Sequence, residues 1–138
     1  MILYHCSSKK IIKEIKEDGL FWGIFANSEP QTSHGKFITE FDILDKDIAT
    51  SWVLNYMTDY ELVEEAFNKI SSTLKNVTTK EKILNAALND DFDLLEINFD
   101  GELSWELQRV RGQIAKNLGF KAVEMNDEYC VSYLIVKI

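Results

Sequence analysis

Three carboxylates, Glu124, Asp127 and Glu128, fall within five residues late in the chain. Strand-like runs flank them, Phe120–Met125 and Cys130–Ile138, so Asn126-Asp127-Glu128-Tyr129 reads as the turn of an antiparallel hairpin. Like charges this close repel one another. A carboxylate fixed at a strand end can also stabilise positive charge that develops in a bound molecule. Two plainer uses stand beside that one: a solvated hairpin tip, and an oxygen-only cation site with no His nearby. At the other end of the chain, His5 follows the short apolar run Met1–Tyr4. Backbone groups just past such a strand could hydrogen-bond a planar amide while the imidazole bonds a sugar hydroxyl. A lone His at this place also serves as a capping residue. Between the two lies Phe21-Trp22-Gly23-Ile24-Phe25-Ala26-Asn27, followed by Ser33-His34-Gly35. Aromatics around a glycine make a wall on which a flat ring can stack, or they are simply core.

The elements that must hold these residues follow from periodicity and caps. Ser7 or Ser8 opens a helix with Ile11, Ile12 and Ile15 on one stripe, stopped at Asp18-Gly19. Leu20–Ala26 is a buried strand or pocket wall. Ser28 to Gln31, with Pro30 inside, reads as a capping box for a short helix ending at His34-Gly35. Lys36–Ile43 alternates as a half-buried strand, with Phe37, Thr39, Phe41 and Ile43 inward. Thr58 with Glu61 caps a helix running from Leu62 to Leu74, and Thr78 with Glu81 caps another carrying Ile83, Leu84, Ala87 and Leu88. Asn89–Gly101 is an acidic loop with room for a short strand at Leu94–Ile97. Ser104 caps a helix with Leu107, Val110, Ile114 and Leu118 inward, closed by Gly119. Strands and helices in this order make an α+β domain. No repeat or linker divides it, so residues 1–138 are read as a single domain.

Composition narrows the function. The net charge of −8 disfavours direct binding to nucleic acid, whose phosphates require Lys and Arg. It suits plain solubility or a partner with a basic surface. No apolar run is long enough to span a membrane, and the first residues do not form a signal peptide, so the expected setting is the cytosol. Cys6 and Cys130 belong to no Cys-x-x-Cys pair, so no metal site is expected; they read as small apolar residues more readily than as a disulfide. Gly-x-Gly-x-x-Gly and Walker A loops are absent. Cys6 beside His5 is not evidence for a Cys-His dyad, because neighbours in a strand point to opposite faces.

Leu3-Tyr4-His5, the Gly23–Ala26 segment with His34-Gly35 after it, and the strand-end acid together resemble the ADP-ribosyltransferase fold. Trp105-Glu-Leu-Gln-Arg-Val-Arg-Gly112, then Leu118-Gly-Phe, then Val123-Glu-Met-Asn-Asp-Glu128 resemble more narrowly the anti-CRISPR ADP-ribosyltransferases of phages and mobile elements, which inactivate type I-F CRISPR surveillance complexes. The matching regions cover roughly half the chain, and Phe41–Gly101 matches poorly. The resemblance implies two small antiparallel sheets around an NAD cleft with helices outside. It implies transfer of ADP-ribose from NAD to a protein side chain, an Asn of a Cas8-type PAM-reading subunit. Asp127 takes the catalytic place with Glu128 as its neighbour. Tyr4, His5, Cys6, Ser7, Gly23, Ile24, Phe25, Ala26 and His34 take the NAD-binding places. The partner implied is a CRISPR-Cas surveillance subunit in a bacterial host cytosol. The alternatives are a toxin or NAD hydrolase with another host target, or an acidic inhibitor acting by charge alone. The chain departs from the related pattern at Cys6 and Trp22, where that pattern has glycine, and at Tyr129, where it has His.

Overall fold

The computed structural model describes residues 1–8, 14–15, 21–56, 59–70, 73–126 and 131–138. Six strands lie in two sheets. β1 (Ile2–Ser7) pairs antiparallel with β3 (Phe37–Asp42). The second sheet has the order β2-β6-β5-β4, built from β2 (Ile24–Ala26), β4 (Ile48–Ala49), β5 (Ala122–Asn126) and β6 (Val131–Ile135). The expectation of purely antiparallel sheets needs one correction. β4, too short to register in the sequence pattern, pairs parallel with β5, Ile48 beside Ala122 and Ala49 beside Val123.

The four-stranded sheet is covered on both faces, and its period-two alternation sends side chains each way. Val123, Met125 and Leu134 enter the larger core, against α2 (Tyr60–Lys69), α4 (Lys80–Asn89) and α5 (Gly101–Asn117). Ala122 and Ile135 enter a smaller core shared with Leu3 and Phe41 of the two-stranded sheet. Glu124 and Asn126 have the parity of Ala122, so they stand on the face turned toward β1 and β3. Two short helices, α1 (Ser51–Tyr56) and α3 (Leu74–Val77), complete the middle. No helix among the described residues is long and apolar enough to cross a membrane.

Helix boundaries move by small steps from the sequence pattern, each for a local reason. α5 starts three residues before Ser104, because the Asp100 carboxylate caps the amides of Glu102 and Leu103. α4 is capped by Thr79 instead of Thr78, and α2 by Asp59, while Thr58 lies outside the described residues. α2 ends at Lys69, so Leu74 opens α3 instead of closing α2. Ser28 makes no capping box, since only a 3-10 turn, Thr32–His34, forms and Gln31 makes no side-chain cap bond. Leu94–Ile97 is no strand: Phe92–Leu95 is a 3-10 turn capped by Asp91. β1 runs on to Ser7, so His5 sits inside the strand instead of after it, and residues 14–15 are not helical. The rest of the helix read from Ser8, and its stop at Asp18-Gly19, lie outside the described residues.

Candidate active site

β1 and the end of β2 are joined by one backbone bridge, between Tyr4 and Asn27. Tyr4 donates its amide to the Asn27 carbonyl at 2.8 Å and accepts from the Asn27 amide at 3.0 Å. In a regular antiparallel ladder the next such pair would be Cys6 with Phe25. There the strands part, and the His5 imidazole spans the space: its Nδ1 lies 2.6 Å from the Phe25 carbonyl. A carbonyl only accepts, so Nδ1 carries the proton, and Nε2 has no partner among the described residues. By ladder alternation the amide and carbonyl of Cys6 and the amide of Phe25 are aimed into the same gap. The gap thus offers backbone donors and an acceptor at hydrogen-bonding spacing, beside an imidazole held in one orientation.

The mouth of the gap is set by Gly35. Its φ is 141°, and a Cβ there would lie 2.1 Å from the Ser7 carbonyl carbon and 2.3 Å from the Ser8 amide nitrogen. Only glycine lets the 3-10 turn carrying His34 close against the end of β1. The structure therefore gathers Tyr4, His5, Cys6, Ser7, Ile24, Phe25, Ala26 and His34 around one gap. Gly23 precedes β2 and presses on Leu134 and Ile135 of β6, away from that space. The Cys6 side chain stands on the strand face opposite His5, so cysteine in place of glycine leaves the His5 face unobstructed.

Aromatic residues form the wall behind β2. Phe21 meets Phe25 edge-on at 4.7 Å and Trp105 at 6.4 Å between ring centroids. Trp22 adopts φ 54°, the left-handed region in which a glycine would be unstrained. The Arg109 guanidinium lies 5.5 Å from the centre of its indole, an attraction that offsets the backbone cost.

The far side of the gap belongs to the β5–β6 hairpin, whose register places Glu124 opposite Tyr133 and Asn126 opposite Val131. Asp127 and Glu128, with Tyr129 and Cys130, lie outside the described residues. What holds β5 up to that point is well defined. Arg111 on α5 is 1% exposed, and all five of its N–H donors are used. Nε and Nη2 donate to the Glu124 carbonyl at 3.1 and 2.8 Å, Nη1 to the carbonyls of Ala87 and Leu88 at 2.8 and 3.0 Å, and Nη2 to Ser51 Oγ at 3.0 Å. Burial pulls the Arg111 pKa below its usual value, while Asp90 and Glu124 raise it. The Tyr133 hydroxyl shifts upward, first through burial and then through Glu124 and Asp45. Asp90, at φ 52° just past α4, accepts the Asn126 amide on its carboxylate.

Asp90 lends itself to a clean test. Glycine suits the left-handed backbone and removes only the acceptor; asparagine keeps both. Asp90→Gly is expected to speed hydrogen exchange of the Asn126 amide by about tenfold, in line with loss of one hydrogen bond of about 1.5 kcal/mol. Asp90→Asn is expected to keep most of the protection, and equal exchange in all three proteins would show that the bond does not secure β5.

Arg111, Asp90, Ser51 and Tyr133 escaped the sequence reading as parts of this site. None of the four had a visible signal: the link read at Asn126–Tyr129 sets residue 124 opposite 131 by counting, whereas the strands pair Glu124 with Tyr133.

The helix motif that looked most specific is built for support. Trp105 backs the aromatic wall, and Glu106 accepts the Thr73 hydroxyl at 2.8 Å and the Leu74 amide at 3.1 Å. Arg109 stacks on Trp22, and Gly112 lets α5 close onto Leu134, where a Cβ would sit at 2.7 Å.

No curated protein matches the chain. A solved structure described as an anti-CRISPR protein is similar to it, with 30% identity and a TM-score of 0.71 over 99% of this chain and 90% of that one. A family model described as Anti-CRISPR Type I-F ADP-ribosyltransferase AcrIF11 matches residues 1–138. The chain belongs to this family of anti-CRISPR ADP-ribosyltransferases.

Proposed function

We propose that the chain transfers ADP-ribose from NAD to an Asn of the Cas8-type, PAM-reading subunit of a type I-F surveillance complex in the host cytosol, and so blocks binding of target DNA. The observation that carries this reading is the lone backbone bridge between Tyr4 and Asn27, with His5 held across the opening beside it by the Phe25 carbonyl. The edge groups of Cys6 and Phe25 suit the carboxamide of nicotinamide, which needs both a donor and an acceptor. His5 Nε2 suits a ribose hydroxyl. Ile24, Phe25 and Ala26 supply the wall, with Tyr4, Ser7 and His34 around it.

In this reading the bond from the ribose carbon to nicotinamide breaks, and its electron pair goes to the ring nitrogen, so nicotinamide leaves neutral. No general acid is needed for that departure. Positive charge develops on the sugar, and a carboxylate beside it stabilises the transition state more than the ground state. We assign that carboxylate to Asp127, with Glu128 as its neighbour. The acceptor amide nitrogen then bonds to the sugar carbon and loses a proton, which one of these carboxylates takes.

The test is to incubate the protein with labelled NAD and a purified type I-F surveillance complex, and to locate the label by mass spectrometry. Label on an Asn of the PAM-reading subunit is the expected result. Label on another host protein favours a toxin with a different target, and NAD consumed without labelled protein favours a hydrolase. Inhibition at one-to-one ratio without NAD favours an acidic binder acting by charge. Within the same reading, His5→Ala should weaken NAD binding about tenfold, as loss of one hydrogen bond of about 1.5 kcal/mol does. Unchanged affinity by calorimetry removes His5 from the site.

A further inference from the structure

α1 carries two large aromatics on the outside of the molecule. Trp52 is 71% and Tyr56 76% exposed, and their rings stack at 5.0 Å between centroids and 6° between planes. One helical turn separates them, so the pair forms an exposed stack that leaves the outer ring faces free for a partner. Asn55 beside them is held by the carbonyls of Ser51 and Leu88 and by the Asn89 side chain, at 2.8, 3.3 and 3.0 Å. A hollow of about 390 Å³ is lined by Ser51, Trp52, Asn55, Tyr56 and Asn89. Core packing accounts for none of this, because Leu54 alone makes the buried contact of α1.

The position of the hollow is informative. Because β4 runs parallel to β5, the chain leaves β4 toward α1 level with Glu124 and Met125. Ser51 shares the Arg111 guanidinium with the Glu124 carbonyl. Asn89 is followed directly by Asp90, whose carboxylate holds the Asn126 amide. The hollow therefore borders the end of β5, where the proposed catalytic acids begin.

We propose that the Trp52–Tyr56 surface docks the acceptor protein through basic side chains. Three candidate occupants differ in charge. Nucleic acid is repelled by a chain of net charge −8. A second copy would bring together two chains of the same net charge of −8, since a twofold interface apposes like with like. A protein face rich in Arg or Lys meets no such penalty: its cations stack on Trp52 and Tyr56 and are attracted by the chain's negative charge. The proposal rests on the reading of the chain as a transferase acting on protein.

The test compares wild type with the Trp52→Ser/Tyr56→Ser double variant, whose side chains are exposed and outside the NAD gap. The acceptor is the purified surveillance complex, and NAD affinity is measured separately by calorimetry. Loss of two central aromatics is expected to raise KM for the acceptor roughly tenfold or more, with NAD affinity unchanged. The wild-type KM should also rise with salt. An unchanged acceptor KM in the double variant overturns the proposal, as does a wild-type dimer in sedimentation that the variant dissociates. If wild type labels a different protein, the target reading fails, and the same KM comparison on that protein decides the docking surface. If it labels no protein, both fail.

Discussion

Arg111→Ala is expected to remove about 3–5 kcal/mol of stability, the usual cost of breaking a buried polar network from one side. A domain of this kind has only about 5–15 kcal/mol in total, so the variant should melt roughly 10–20 °C lower. The side chain leaves three carbonyls and a hydroxyl without their donor, from α4, β5 and the start of α1. Two of those carbonyls, Ala87 and Leu88, lie in the last turn of α4, where the helix dipole adds to the attraction for a cation. Arg111→Lys keeps the charge but presents one nitrogen instead of a planar fork, so it should recover only part of the loss. Calorimetric melting of the three proteins measures this. A melting temperature for Arg111→Ala within 3 °C of wild type would show that the network adds little.

The largest catalytic effect is expected at Asp127. Asp127→Asn retains size and hydrogen-bonding capacity but removes the negative charge from the side chain assigned to face the developing cation. Loss of one such electrostatic contribution lowers a rate by about 10²–10³-fold, and loss of a proton acceptor by about 10²–10⁴-fold. We expect labelling of the acceptor to fall by at least 10²-fold, with melting temperature and NAD affinity near wild type. Glu128→Gln, measured alongside, separates the two carboxylates: the variant that loses more in kcat marks the one facing the sugar. Labelling by Asp127→Asn at the wild-type rate would show that another group carries the role.

The residues proposed to carry the chemistry stand out in the sequence because their types are uncommon in their places. His5 interrupts an apolar strand, and the β5–β6 hairpin follows from two apolar runs joined by four polar residues. The stripe Leu107, Val110 and Ile114 was legible from its period, and all three residues are buried. What was not legible has a common cause. Arg111 lies between Val110 and Gly112 and reads as a solvated charge on the helix surface, whereas its burial depends on carbonyls and a hydroxyl supplied by residues 13 to 60 positions away. The same holds for Asp90, which composition assigns to an acidic loop and which the fold turns toward Asn126. Caps shifted by one residue or a few because Asp, Ser and Thr stand in tandem before these helices, and tertiary packing selects among them.

The placement of β6 has a kinetic consequence. Its neighbours in the sheet are β5, close in sequence, and β2, more than a hundred residues earlier. Ile24 to Ala26 have no other strand in that sheet to pair with, so the wall of the gap takes its place only when β6 arrives. During synthesis β2 emerges long before β6, and its sheet edge must wait for that partner while the helices form. Pairings of such long range slow folding, and they leave the early segment exposed in the meantime. The nascent chain is therefore expected to form its central helices first and to complete the gap beside His5 last, so that activity appears only with the final strand.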